Sequence, residues 1–266
     1  MHIRNLSDVT QAHANEVGRK AAALGELLHA NHRVPTGFVV TTGAEQRLTP
    51  VLSKAILEHF DDLKLQRAAV RSSGASEDGA EQSWAGQFAT FLHVARSGVL
   101  DAIRSCWVSA DAARVAAYAN GARIGGMAVL VQQMVHSQTA GVAFSVNPVS
   151  GDKTQIMVEA VYGLGELLVQ GLSTPDNYLI DKATGKVLES DIAEKLTLLT
   201  YQNGHTIEIG VPDAQQNSAA LSSAQLHEIT QLVRSVENHY GFPVDIEWAY
   251  ENDLLYLLQA RPITTI

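Results

Sequence analysis

Val244-Asp245-Ile246-Glu247-Trp248-Ala249-Tyr250, then Glu251-Asn252-Asp253, then Leu254-Leu255-Tyr256-Leu257-Leu258-Gln259-Ala260-Arg261 is the stretch that decides how this chain is read. Val244, Ile246, Trp248 and Tyr250 alternate with Asp245, Glu247 and Ala249, the two-residue period of a strand with one buried face. Both carboxylates therefore share the other face. Glu251-Asn252-Asp253 is turn chemistry, and residues 254–261 return as a second strand bearing Gln259 and Arg261. Register decides whether the polar residues meet. A three-residue loop over 252–254 pairs Glu251 with Leu255, setting Glu247 opposite Gln259 and Asp245 opposite Arg261. A two-residue loop puts the polar sets on opposite faces and breaks the cluster. The first register gathers oxygen donors of the kind that hold Mg²⁺ together with substrate phosphates. Its arginine can fork onto a phosphate. An amphipathic hairpin with a weak surface ion pair would show the same pattern.

Working outward, residues 222–240 read as a helix. Ser222 and Gln225 make a capping box, Leu226, Ile229, Val233 and Val236 form the apolar stripe, and Gly241 stops it. Strands are expected at 127–135, 141–145, 155–160, 177–181 and 186–188, with 190–220 irregular. Upstream, residues 16–28 are helical, with Val17, Ala21, Leu24 and Leu28 on one face. A Val34-Pro35-Thr36-Gly37 turn leads to a strand at 38–42. A helix over 44–66, a strand over 67–72, a Gly/Ser/Ala-rich loop over 73–87, a strand over 88–94 and helices over 99–120 follow. Gly121, Gly125 and Gly126 then interrupt the pattern. The reading is an α+β fold of two lobes, 1–122 and 123–266.

Composition limits the function. The 19 basic and 28 acidic residues give a net charge of -9, so nucleic acid is not an expected partner. Cys106 is the single cysteine, which excludes an internal disulfide and a cysteine-only metal site. No 18-residue apolar run and no apolar leader occurs. The chain reads as soluble and cytoplasmic, without a membrane partner. GxxxxGK[ST], GxGxxG between strand and helix, HExxH and CxxC are all absent.

Three further constellations could carry chemistry. Arg71-Ser72-Ser73 leads through Glu77 and Asp78 to Ser83-Trp84-Ala85-Gly86-Gln87. A basic side chain at a strand end and glycine-rich backbone donors can fold over a polyphosphate. Gly18-Arg19-Lys20 opens a helix, where Lys20 can reach a phosphate with help from the helix dipole. Gly163-Leu164-Gly165-Glu166 is read equally well as a plain glycine turn.

Together these segments resemble the ATP-binding domain of the phosphoenolpyruvate synthase and pyruvate phosphate dikinase family, also found in rifampicin phosphotransferases. The resemblance runs from about residue 16 to residue 264. It also includes Gln133-Met134-Val135, residues 140–145 and residues 159–166. It implies an ATP-grasp-like fold with the nucleotide between two lobes. It further implies Lys20 and Arg71 on phosphates, Gly86 over the transferred end, and adenine along Gln132, Gln133, Met134 and Val135. Glu247 and Gln259 would hold Mg²⁺, while Asp245 and Arg261 orient metal and phosphates. Lys20, Arg71 and Arg261 are the residues expected to act in catalysis. In such enzymes ATP is cleaved between its α- and β-phosphates, and the pyrophosphoryl group passes to a histidine on a separate swivelling domain. A phosphohistidine-domain protein and a substrate-binding protein are therefore the expected partners. Arg19 stands where the family often has a second glycine. A stand-alone ATP-grasp ligase that forms an acyl phosphate, and a non-catalytic nucleotide-binding module, are the competing readings.

Overall fold

The computed structural model describes residues 2–74, 89–119 and 126–263, and for 111–119 the helical backbone. Gly86, with residues 75–88, lies outside the described residues, as do Gly121 and Gly125. The chain divides into two compact units, Met1–Met134 and Val135–Ile266.

The N-terminal unit contains β1 (Ile3–Asn5), α1 (Ala14–His29), β2 (Gly37–Val40), α2 (Pro50–Asp62), β3 (Ala68–Gly74), β4 (Thr90–Val94), α3 (Val99–Ala119) and β5 (Met127–Gln133). Its strands form one sheet in the order β1-β2-β5-β3-β4, with every neighbouring pair antiparallel. Phe38, Val40, Val70, Val129 and Val131 pack with Ile56, Phe60, Ile103 and Trp107 of α2 and α3 into one apolar cluster. By strand alternation, Val39, Arg71, Ser73, Leu130 and Gln132 occupy the opposite face. The helix expected over 44–66 is shorter. Glu45 and Gln46 have positive φ, and Pro50 sits in the first turn of α2, where Thr49 accepts a hydrogen bond from the Leu52 amide. Proline at that position starts a helix rather than continuing one.

The C-terminal unit runs β6 (Thr139–Phe144), β7 (Gln155–Tyr162), α4 (Glu166–Val169), β8 (Asp176–Asp181), β9 (Val187–Asp191), β10 (Thr197–Gln202), β11 (His205–Gly210), α5 (Asp213–Gln216), α6 (Ser223–Tyr240), β12 (Val244–Glu251) and β13 (Leu254–Pro262). Its main sheet is six-stranded, in the order β13-β12-β6-β7-β8-β9, again with antiparallel neighbours throughout. Helix α6 has the reciprocal Ser222–Gln225 capping box and ends at Gly241 in the left-handed region. Such a cap contributes about 1 kcal/mol. Leu226, Ile229, Val233 and Val236 are buried as the stripe requires. Tyr250 Oη donates to Glu228 Oε2 at 2.7 Å, tying α6 to β12.

Two expectations need correction here. The span 190–220 is not irregular, because β10 and β11 pair with Gln202 opposite His205 around Asn203-Gly204. Both turn residues have positive φ, which Asn-Gly supplies in a two-residue hairpin. Most of the side chains on these strands are exposed or half-exposed, so the alternation was weak. The loop between β12 and β13 also has two residues, not three, since Glu251 pairs with Leu254. Asn252 and Asp253, at φ 49° and 60°, make the turn. The consequence drawn for a two-residue loop does not follow, because a bulge intervenes. Trp248 pairs with Leu257, while Glu247 pairs with Gln259, so Leu258 is the extra residue. The bulge shifts the parity of the strand and restores the odd register.

Candidate functional site

In the N-terminal unit the decisive local feature is a break in α1. Gly18 has φ 78° and ψ 160°, and the helix restarts beyond it. A Cβ there would stand 2.1 Å from the Ser73 carbonyl oxygen. Only glycine fits that approach and that φ. Ser73 Oγ accepts from the Ala21 amide at 3.1 Å, satisfying a donor in the first turn of the restarted helix. Lys20 is buried and its Nζ donates to the Ser72 carbonyl at 3.1 Å. The ammonium is thus held one residue from Arg71. Arg71 is half-buried and lies on the same strand face as Ser73.

Gln132 is buried in β5, where its Nε2 donates to the Pro35 carbonyl at 3.0 Å. The Gln133 amide donates to Thr36 O at 2.7 Å, and the Met134 amide to Arg67 O at 3.0 Å. These bonds fix the end of β5. Gln132 shares the Arg71 face, since Ala69 pairs with Gln132 two residues before Arg71. Val135, in the C-terminal unit, clusters with Ala140 and Ala249, and Tyr256 and Leu258 pack against them.

In the C-terminal unit Asp245, Glu247, Gln259 and Arg261 lie on one sheet face, opposite the face that holds α6. Glu247 is directly across from Gln259, and Asp245 from Arg261. Arg261 Nε donates to both Asp245 oxygens, at 2.8 and 2.7 Å. The carboxylate takes the Nε edge and so fixes the direction of the guanidinium. Gln259 is buried, whereas the Glu247 side chain is half-exposed. A carboxylate beside an amide oxygen fits Mg²⁺, which keeps water and substrate phosphates in its shell. No group of three or more His, Cys, Asp or Glu able to hold a metal occurs among the described residues.

Residues 44–266 match the family model described as pyruvate phosphate dikinase, AMP/ATP-binding domain. The chain belongs to that family. Relatives of this AMP/ATP-binding domain include the probable phosphoenolpyruvate synthase of Archaeoglobus fulgidus, 35% identical over 98% of this chain and 41% of its own length. That of Methanothermobacter thermautotrophicus is 35% identical over 94% and 44%. The prodigiosin synthesizing transferase PigC of Serratia marcescens is 34% identical over 94% and 32%. The domain thus spans less than half the length of these curated relatives. Among solved structures, the D-alanine–D-alanine ligase of Helicobacter pylori aligns over 91% of this chain and 55% of its own, with TM-score 0.44 and 10% identity. A likeness of that size carries no argument about activity.

Sequence reasoning gave Glu159 no role, although residues 159–166 are among those that carry the resemblance. Glu159 pairs with Val142 on one side and Asn177 on the other, and Val142 pairs with Glu247. The row across the domain's sheet is therefore Gln259, Glu247, Val142, Glu159, Asn177. Burial pushes the Glu159 carboxyl above its ordinary range. It is the single charged residue between Lys153 and Glu166, a signal readable in an otherwise apolar strand. Gly163 itself meets a backbone demand. Gly163 has φ +72°, and a Cβ would meet Leu199 O at 2.2 Å, where β10 crosses.

Proposed function

We propose that this domain binds Mg·ATP in an ATP-grasp-like manner and transfers a pyrophosphoryl group to a histidine on a phosphohistidine domain. The observation that carries this reading is the pairing of Glu247 with Gln259 and of Asp245 with Arg261 on one sheet face, in a chain of the dikinase AMP/ATP-binding family. Lys20 and Arg71 neutralise phosphate charge, and Gly86 covers the transferred end. Adenine lies along Gln132 to Val135. Glu247 and Gln259 hold Mg²⁺, which supplies charge neutralisation at the phosphoryl oxygens. Asp245 holds Arg261 so that its remaining N–H groups face a phosphate oxygen. Catalysis is then positioning plus electrostatic stabilisation. A substrate-binding domain completes the reaction, as the longer phosphoenolpyruvate synthase relatives suggest.

Product analysis tests the proposal. With ATP, Mg²⁺ and a phosphohistidine-domain protein, nucleotide chromatography should show AMP, and mass spectrometry of the partner should show its histidine carrying the pyrophosphoryl group. Formation of ADP with a carboxylate and an amine alone would instead establish the ligase reading. ATP binding without turnover in the presence of competent phosphohistidine and substrate-binding domains would leave a nucleotide-binding module.

A further inference from the structure

We infer that Glu159 is a specificity residue that receives the sugar hydroxyls of the nucleotide, so that the chain selects ribonucleotides over deoxyribonucleotides. This rests on the proposed binding of ATP and adds a residue that the proposal does not use.

Glu159 shares a sheet face with Glu247, since both pair with Val142. Three transverse rows cross that face. The first holds Tyr256, Ala249, Ala140 and Val161, and Val135 and the bulged Leu258 pack against it. The second is Gln259, Glu247, Val142, Glu159 and Asn177. The third holds Arg261, Asp245, Phe144, Met157 and Leu179. Successive rows are about 6.8 Å apart, since two strand residues advance that far. The apolar row suits a base and the arginine row suits phosphate. A nucleotide laid along the strands then has its sugar over the middle row. Glu159 lies two strands from Glu247, roughly 10 Å away at about 4.8 Å per strand. It is beside the sugar rather than beside the metal.

Glu159 has no side-chain hydrogen-bond partner among the described residues, and it is half-buried on this face. Asn177, its cross-strand neighbour, spends its amide on the Pro175 carbonyl at 3.2 Å. A half-dry carboxylate without a donor is destabilising unless a ligand supplies one. Vicinal hydroxyls supply two. A cation is the poorer occupant, because no set of three acidic, His or Cys ligands occurs among the described residues.

The test compares calorimetric affinities of the full 266-residue chain for ATP, 2′-deoxyATP and 3′-deoxyATP at saturating Mg²⁺. The unaltered chain should bind ATP about tenfold or more tightly than either deoxynucleotide, the effect of one hydrogen bond to a charged acceptor. Glu159→Ala should bind all three within about twofold of one another. Glu159→Leu fills the same face without an acceptor and serves if the alanine variant fails to fold. Equal discrimination in the folded variant and the parent overturns the inference, as does parallel weakening of all three nucleotides with an altered Mg²⁺ requirement. A parent chain that binds ATP without discrimination also overturns it while leaving the proposed function intact. A parent that binds no nucleotide removes the proposed function instead.

Discussion

Gly18 shows how much one residue can decide. Its positive φ and its approach to Ser73 O are both closed to an L side chain. Gly18→Ala should therefore displace the restart of α1 and with it Lys20, whose Nζ is seated on the Ser72 carbonyl. We expect a loss of about 1–3 kcal/mol in stability by denaturant melts, and weaker ATP binding by calorimetry. An ATP affinity equal to that of the parent would detach Lys20 from the site. Arg261→Lys keeps the charge and loses the planar fork that Asp245 holds through Nε. Turnover or nucleotide affinity should fall about tenfold or more, and unchanged kinetics would take Arg261 out of the machinery. Residue chemistry was the most legible layer in the sequence. The period put Asp245 and Glu247 on one face, and an assumed loop brought Gln259 and Arg261 opposite them, whereas the constraint on Gly18 needed β3 beside it.

Elements were legible where one face is buried. Helix α6 is recognisable from its cap, stripe and stop, all of which the structure keeps. The hairpin β12–β13 is more instructive. The expected pairing of polar residues holds, but the expected loop does not, because Leu258 supplies the odd residue inside the strand. A bulge leaves no compositional mark in a run such as Leu257-Leu258, so strand counting had to place the extra residue in the turn. Deleting Leu258 should therefore remove the bulge and still leave Gln259 and Arg261 opposite Glu247 and Asp245 around the unchanged turn. Calorimetry should then find Mg²⁺-dependent ATP binding retained, and its loss in the folded variant would show that the bulge itself shapes the site. The β10–β11 hairpin was invisible for the opposite reason. Its alternation is weak, and its Asn203-Gly204 turn was the remaining clue. Its entry is pinned by Asp176, which accepts from Lys195 Nζ and from the Ala193 and Ala220 amides. Breaking such a buried pair costs about 3–5 kcal/mol.

Over the whole molecule, stability should respond to alkali. Burial and the Asp176 carboxylate raise the Tyr178 hydroxyl to about 12 from its ordinary 10. The folded chain thus holds a proton that the unfolded chain releases. The stabilisation is complete below about pH 10 and is lost as pH rises toward 12. Urea melts between pH 8 and 12 should show this decline, and Tyr178→Phe should flatten it. An unchanged slope would place Tyr178 in a wetter setting. The two units also distribute their chemistry differently. In the N-terminal unit Lys20 and Gln132 are themselves buried and hold the backbone together. In the C-terminal unit the polar face stands opposite the one that α6 packs, with Glu159, Asp245, Glu247 and Arg261 only half-buried. Mutation can therefore explore the second face at little thermodynamic risk, while the first is frozen by its own architecture. New ligand preferences in descendants of this chain should arise on the six-stranded sheet.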